Sequence, residues 1–152
     1  MIDHDDLPLC RERGEIILTV SLTKSQQLSA NGSQWTTSQG ARAMRNKVKN
    51  TLKEIGYTVA RNHINHTTGF TAFTRFDITY LIRYPTRAAA DPDNLAPTLK
   101  PIIDGCTRAG LWPDDSSKYM RSRTYRQSTR TSGQRGIWAI EIHITPLTEE
   151  ES

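Results

Sequence analysis

The chain has 152 residues, 36% of them hydrophobic and 24% charged, a composition that suits one globular domain with a single shared core and is short for two. No apolar run approaches the roughly 20 residues needed to span a bilayer, and the opening Met1-Ile2-Asp3-His4-Asp5-Asp6 lacks the basic and apolar regions of an export signal. Two cysteines, Cys10 and Cys106, form neither a disulfide framework nor a zinc spacing, so membrane-spanning and disulfide-stapled classes are excluded and a soluble, cytoplasmic protein is expected.

In chain order, residues 1–14 read as a mobile leader, residues 15–146 as the single folded domain and residues 147–152 as an acidic tail. Residues 15–22, EIILTVSL, are β-branched and apolar and predict the first strand. After the Asn31-Gly32 turn signal, Thr37 or Ser38 can cap a helix whose apolar positions Ala41, Met44, Val48, Leu52 and Ile55 step by three or four residues. Gly56 is expected to end it in a left-handed cap. Residues 57–64 are a candidate hairpin partner for the next strand. Between residues 70 and 84 the even positions Phe70, Ala72, Phe76, Ile78, Tyr80, Ile82 and Tyr84 alternate with mostly polar neighbours, the period of a half-buried strand. A second helix is expected within residues 94–109 and ends at Gly110; Pro97 and Pro101 suggest that its regular part begins near Pro101. Residues 118–127 and 137–145 predict two more strands, the last with Trp138, Ile140, Ile142 and Ile144 on its buried face. The sum is an α+β domain with a small mixed β-sheet and two helices.

The net charge of +4 is unevenly spread. From Ile16 to Lys53 there is no acid, and Arg42, Arg45, Lys49 and Lys53 fall largely off the apolar stripe of the first helix, facing solvent or a polyanion. From Ser116 to Ile140 there is again no acid, and the bases are Lys118, Arg121, Arg123, Arg126, Arg130 and Arg135. An acidic middle between basic stretches suits phosphodiester cleavage, with bases for the backbone and carboxylates for a cation at the cut.

Those carboxylates lie in two elements. In Asp91-Pro92-Asp93-Asn94, proline pushes Asp91 toward extended backbone, and in an extended chain residues two apart point the same way, so Asp91 and Asp93 could share a cation. Equally, Asp93 or Asn94 could simply cap the second helix. In Trp112-Pro113-Asp114-Asp115-Ser116, either aspartate could return to the first pair or serve a solvated turn. Clustered carboxylates repel unless a cation compensates, and hard oxygen donors suit Mg²⁺ or Mn²⁺. Lys100 could contact a phosphate or pair with Asp104 one turn on. His63, His66 and His143 receive no role, His143 falling on the polar side of the last strand.

The run DPDNLAPTLKPIIDGCTRAGLWPDD, Asp91 to Asp115, resembles the core signature of the RusA-type Holliday junction resolvases. That signature pairs an Asp-x-Asp-Asn-Leu element with a lysine, an aspartate on the following helix and an aspartate pair after a Gly-aromatic turn, here Asp91, Asp93, Asn94, Lys100, Asp104, Asp114 and Asp115. The chain departs from it in one place, since Ala96-Pro97-Thr98 stands as an insertion before Leu99-Lys100. Ser29-Ala30-Asn31 is also similar to the family's N-terminal Ser-x-Asn region. The resemblance implies a RusA-like homodimer that cuts four-way DNA symmetrically with Mg²⁺ or Mn²⁺, of a kind frequent in phages and prophages. It implies Asp91, Asp93 and Asp115 as catalytic metal ligands, prefers Asp115 over Asp114, and gives Lys100 an assisting role. A non-catalytic DNA-binding protein and a nuclease for other branched or single-stranded nucleic acid are the rival expectations.

Overall fold

Alternation of apolar residues builds the sheet, and the computed structural model, which describes residues 14–28 and 38–148, places four strands in it. They are β1 (Ile16–Leu22), β2 (Phe76–Arg83), β3 (Met120–Gln127) and β4 (Trp138–Pro146), in the spatial order β1-β4-β2-β3. β4 runs antiparallel to both its neighbours, and β3 lies parallel to β2 at the margin. The register sets Leu18 and Tyr80 beside Ile142, and Val20 and Ile82 beside Ile140, which makes one continuous apolar face. Two helices, α1 (Gln39–Asn65) and α2 (Ala96–Ala109), pack together over that face and complete the core with Leu52, Leu99, Ile102 and Ile103. The α+β class with a small mixed sheet is as the sequence predicts. Among the described residues no helix is long and apolar enough to cross a membrane.

α1 departs most from expectation. Ser38 caps it, accepting a hydrogen bond from the Ala41 amide at 3.1 Å, but Gly56 does not end it and residues 57–64 form no strand. Gly56 is buried inside the helix with no left-handed backbone, and its use is steric. The two helices cross so closely that a Cβ on Gly56 would overlap the Ile102 carbonyl, and one on Gly105 would overlap the Lys53 carbonyl. Cys106, at the same crossing, is fully buried with its Sγ 3.6 Å from the Gly56 carbonyl oxygen, and burial pushes its thiol up to about 12. Past Gly56 the helical spacing simply continues through Ala60, which is buried. At the other end Met44, expected in the core, is 60% exposed.

Two further boundaries move. Residues 70–75 are not part of β2; their aromatic rings instead form a chain Phe70–Phe73–Phe76–Trp112, the last pair stacked at 4.5 Å, and the Phe73 amide bonds the Leu111 carbonyl. α2 starts at Ala96 and carries Pro101 inside it. Pro92–Leu95 form a 3-10 turn that leads straight into the helix, with Pro97 in its first turn, where a missing amide hydrogen costs nothing. Burial of Pro101 favours the helix over the break it would cause in water. Gly110, with φ 99°, terminates α2 as expected.

Thr98, in the segment that departs from the resolvase pattern, is fully buried and clasps Leu28: its hydroxyl donates to the Leu28 carbonyl at 3.0 Å and accepts from the Leu28 amide at 2.8 Å. Thr98→Val keeps the shape and strands both main-chain groups, so it should cost about 2 kcal/mol in urea denaturation. Residues 1–13 of the leader, including Cys10, Ser29-Ala30-Asn31, the Asn31-Gly32 turn, Thr37 and the last four residues lie outside the described residues.

His143 does lie on the sheet face away from the helices, but it is buried there. Its ring bridges Glu15 at 2.9 Å and Glu141 at 3.0 Å, and Arg83 pairs with Glu141.

Candidate functional site

Both acidic elements sit where the chain leaves regular structure, one after β2 and one after α2. Asp91 has the extended backbone expected before proline (φ −98°, ψ 98°), but the extension stops there. Asp93 belongs to the 3-10 turn, closed by the Asn94 amide on the Asp91 carbonyl at 3.0 Å, so the extended-pair geometry expected of the two aspartates is replaced by a tight turn. Neither Asp93 nor Asn94 caps α2; its N-cap is Leu95, without a side-chain bond. The Asp91 and Asp93 carboxylates are left exposed and without a side-chain hydrogen bond or ion pair among the described residues.

The second element separates two aspartates that their spacing alone leaves equivalent. Asp114 turns back to accept the Asp115 amide at 2.7 Å, the local turn role. Asp115 points inward, its side chain 18% exposed, and is held by Lys100 and by Arg123 at 3.6 Å. Lys100 lies between Asp115 and Asp104, the latter at 2.8 Å. Burial alone would depress the Lys100 ammonium, but these two carboxylates outweigh it and raise it above the usual lysine value. Burial alone would raise Asp115; Lys100 and Arg123 outweigh that and hold it below the usual carboxylate range. Asp77, paired with Arg121, and Glu141, paired with Arg83 and His143, are also held low against the effect of burial. A depressed folded-state value contributes stability above the unfolded value, near pH 4 for carboxylates, and loses it as pH falls through the folded value. The urea midpoint should therefore hold from pH 7 to about pH 5 and fall progressively below about pH 4; a flat profile down to pH 2 would contradict these pairings.

Both acidic elements meet β3: the Pro92–Leu95 turn packs against that strand, and Arg123 on it holds Asp115. Tyr80 and Tyr125, neighbours across β2 and β3, stack at 5.0 Å. Burial raises the Tyr125 hydroxyl against the Arg123 charge, with Asp93 a smaller addition; burial and then Tyr125 raise Tyr80 well up, with Asp115 the smallest contribution; and Tyr84 is raised by burial and then by Asp91 and Asp93. Segments more than 20 positions apart thus come together beside β3. They do not form a closed cage: among the described residues no group of three or more His, Cys, Asp or Glu could hold a metal ion. The donors fit a hard divalent cation by their chemistry, all carboxylate oxygen, with Lys100 supplying positive charge at Asp115.

The basic residues divide. Arg42, Arg45, Lys49 and Lys53 follow one helical stripe on α1. On the β3 side Arg121 and Arg123 are paired with Asp77 and Asp115, Lys118 lies over the Tyr119 ring at 5.4 Å, and Lys118, Arg130 and Arg135 are exposed while Arg126 is half-buried. Sequence reasoning missed three participants. Arg123 reads there as a backbone binder, though it holds Asp115; Tyr84 and Trp138 read as core, though both are half-buried beside Asp91. The alternation that assigns them to the inner face is the only signal for them. Comparison with protein-family models and with curated proteins returns no match to this chain.

Proposed function

We propose that this protein is a Mg²⁺- or Mn²⁺-dependent endonuclease that resolves four-way DNA junctions, acting as a homodimer. The observation that carries the reading is that the Pro92–Leu95 turn, which bears the exposed Asp93 and follows Asp91, packs on β3, the strand whose Arg123 holds the inward-facing Asp115, in a segment whose pattern resembles the RusA-type resolvases. Asp91, Asp93 and Asp115 would hold the metal, which when bound supplies a Lewis acid for the phosphate and a more acidic water. Lys100, which neutralises Asp115 in the free protein, would meet the scissile phosphate. Asn94 and Asp104 support it, Asn94 through the turn that positions Asp93 and Asp104 by orienting the Lys100 ammonium; Asp114 acts only by fixing the turn before Asp115. The α1 stripe and the exposed bases around β3 would hold the backbone, and a twofold dimer would supply two matched cuts.

The test is a synthetic four-way junction incubated with pure protein and Mg²⁺ or Mn²⁺. Paired, symmetric nicks at the crossover are expected; binding with no product in either metal would sink the enzymatic reading. One observation favours the non-catalytic alternative, a DNA-binding protein in which Asp115 is a structural ion-pair member: it already has two cationic partners. That alternative predicts metal-independent binding with a steep salt dependence.

A further inference from the structure

Among the described residues, the inner face of the sheet ends in a rung on which Trp138 and Tyr84 stay only half-covered. Trp138 pairs with Leu22 on β1, and the register that sets Arg83 beside Ala139 puts Tyr84 next to Trp138 on the other side. Both aromatic rings are half-buried and line an open pocket of about 370 Å³. Leu28, fixed by the Thr98 clasp, closes one side. Asp91 and Asn94 form another wall, and Lys24 stands exposed at the rim. The pocket therefore joins two aromatic surfaces, a cation and one of the carboxylates assigned above to the metal.

We propose that this pocket takes a single unstacked nucleobase of the strand being cut, its ring packed on Trp138 and Tyr84, its phosphate near Lys24, so that the next phosphate lies at Asp91. The inference rests on the nuclease reading and deepens it by naming what selects the substrate. Aromatic side chains hold any base by its face. A base inside an intact duplex cannot enter without being unstacked and unpaired, whereas one at a branch point is already exposed, which lowers the cost. Tyr84 is suited to the role because it is half-buried and lines the pocket together with Asp91.

The experiment uses the full chain and four-way junctions carrying 5-iodouracil at each position around the crossover in turn, irradiated with Ca²⁺ in place of Mg²⁺, the cross-linked residue being read by mass spectrometry. One position is expected to cross-link to Trp138 or Tyr84. Removing the base at that position should weaken wild-type binding by roughly 5- to 100-fold, the range of one base stacked on an aromatic ring. Trp138→Ala should bind the intact and abasic junctions equally, and Trp138→Phe should recover most of the difference. Cross-links confined to other residues, or a Trp138→Ala loss equal on both substrates, would overturn the subsite; the second result is what a merely structural tryptophan gives. A protein that cuts junctions normally under either of those outcomes keeps the proposed function and loses the pocket. A protein that binds no branched DNA at all loses both.

Discussion

Asp93→Asn should leave the protein folded and able to bind a four-way junction while its cleavage rate falls by about 10²–10³, the scale on which single groups that stabilise developing charge are lost. The substitution is isosteric, and the exposed Asp93 carboxylate has no side-chain partner among the described residues to be stranded, so folding should be indifferent to it. Binding should be unchanged or slightly tighter, because one negative charge is removed from beside the phosphates. Asp114→Asn is the matched control: the amide oxygen can still accept the Asp115 amide hydrogen, and cutting should stay close to wild type. Gel-shift and cleavage measurements on the same preparations separate the two effects. An Asp93→Asn protein that cuts at the wild-type rate would remove Asp93 from the site.

Gly56→Ala should be the most destabilising single-methyl change in the molecule, on the order of 3 kcal/mol or more. The added Cβ meets the main chain of Ile102, which cannot rotate aside, so the two helices must separate and uncover Leu52, Leu99 and Ile102. Gly105→Ala presses on the same crossing from the other helix, against Lys53. Because both substitutions force one and the same separation, the double variant should lose less than the sum of the two. Gly40→Ala is the control on the same helix. Nothing lies within 4 Å of a Cβ there, so the ordinary helix preference should make it neutral or stabilising by up to about 1 kcal/mol. Thermal denaturation should show Gly56→Ala lowered by roughly 10 °C and Gly40→Ala unchanged or raised. Equal midpoints for the two would contradict the close crossing.

The same glycine shows why part of the fold was illegible in the sequence. A glycine after four helical turns reads as a stop, and the Arg61, Asn62 and His63 that follow look unlike a buried strand or a core helix. They are unlike either because that part of α1 keeps only Ala60 fully buried, with Tyr57, Val59 and Ile64 half-covered. The choice between stop and close approach was made by α2, more than 40 residues later. The sheet was easier, since a period of two in Ile78, Tyr80 and Ile82, and again in Ile140, Ile142 and Ile144, assigns the inner face without help from elsewhere. In the site, aspartate spacing was enough to find both acidic elements. It could not separate Asp114 from Asp115, because that depends on which carboxylate the backbone amide takes. Nor could it show that Tyr84 and Trp138 are half open, because alternation gives the side of a sheet but not where the covering layer ends.

β3 lies at the sheet margin, and along its outer edge, among the described residues, no strand pairs with it. Such an edge is a template on which a second copy can add, and natural proteins blunt it with charge. Arg121, Arg123 and Arg126 stand along this strand, so besides any contact with a polyanion they put on the edge the charge that would oppose edge-to-edge pairing. Replacing them by valine would leave a β-branched, neutral ribbon, and its first consequence would be a concentration-dependent precipitate rather than weak DNA binding. Charge removal on this strand is therefore informative about substrate only in protein that remains monodisperse.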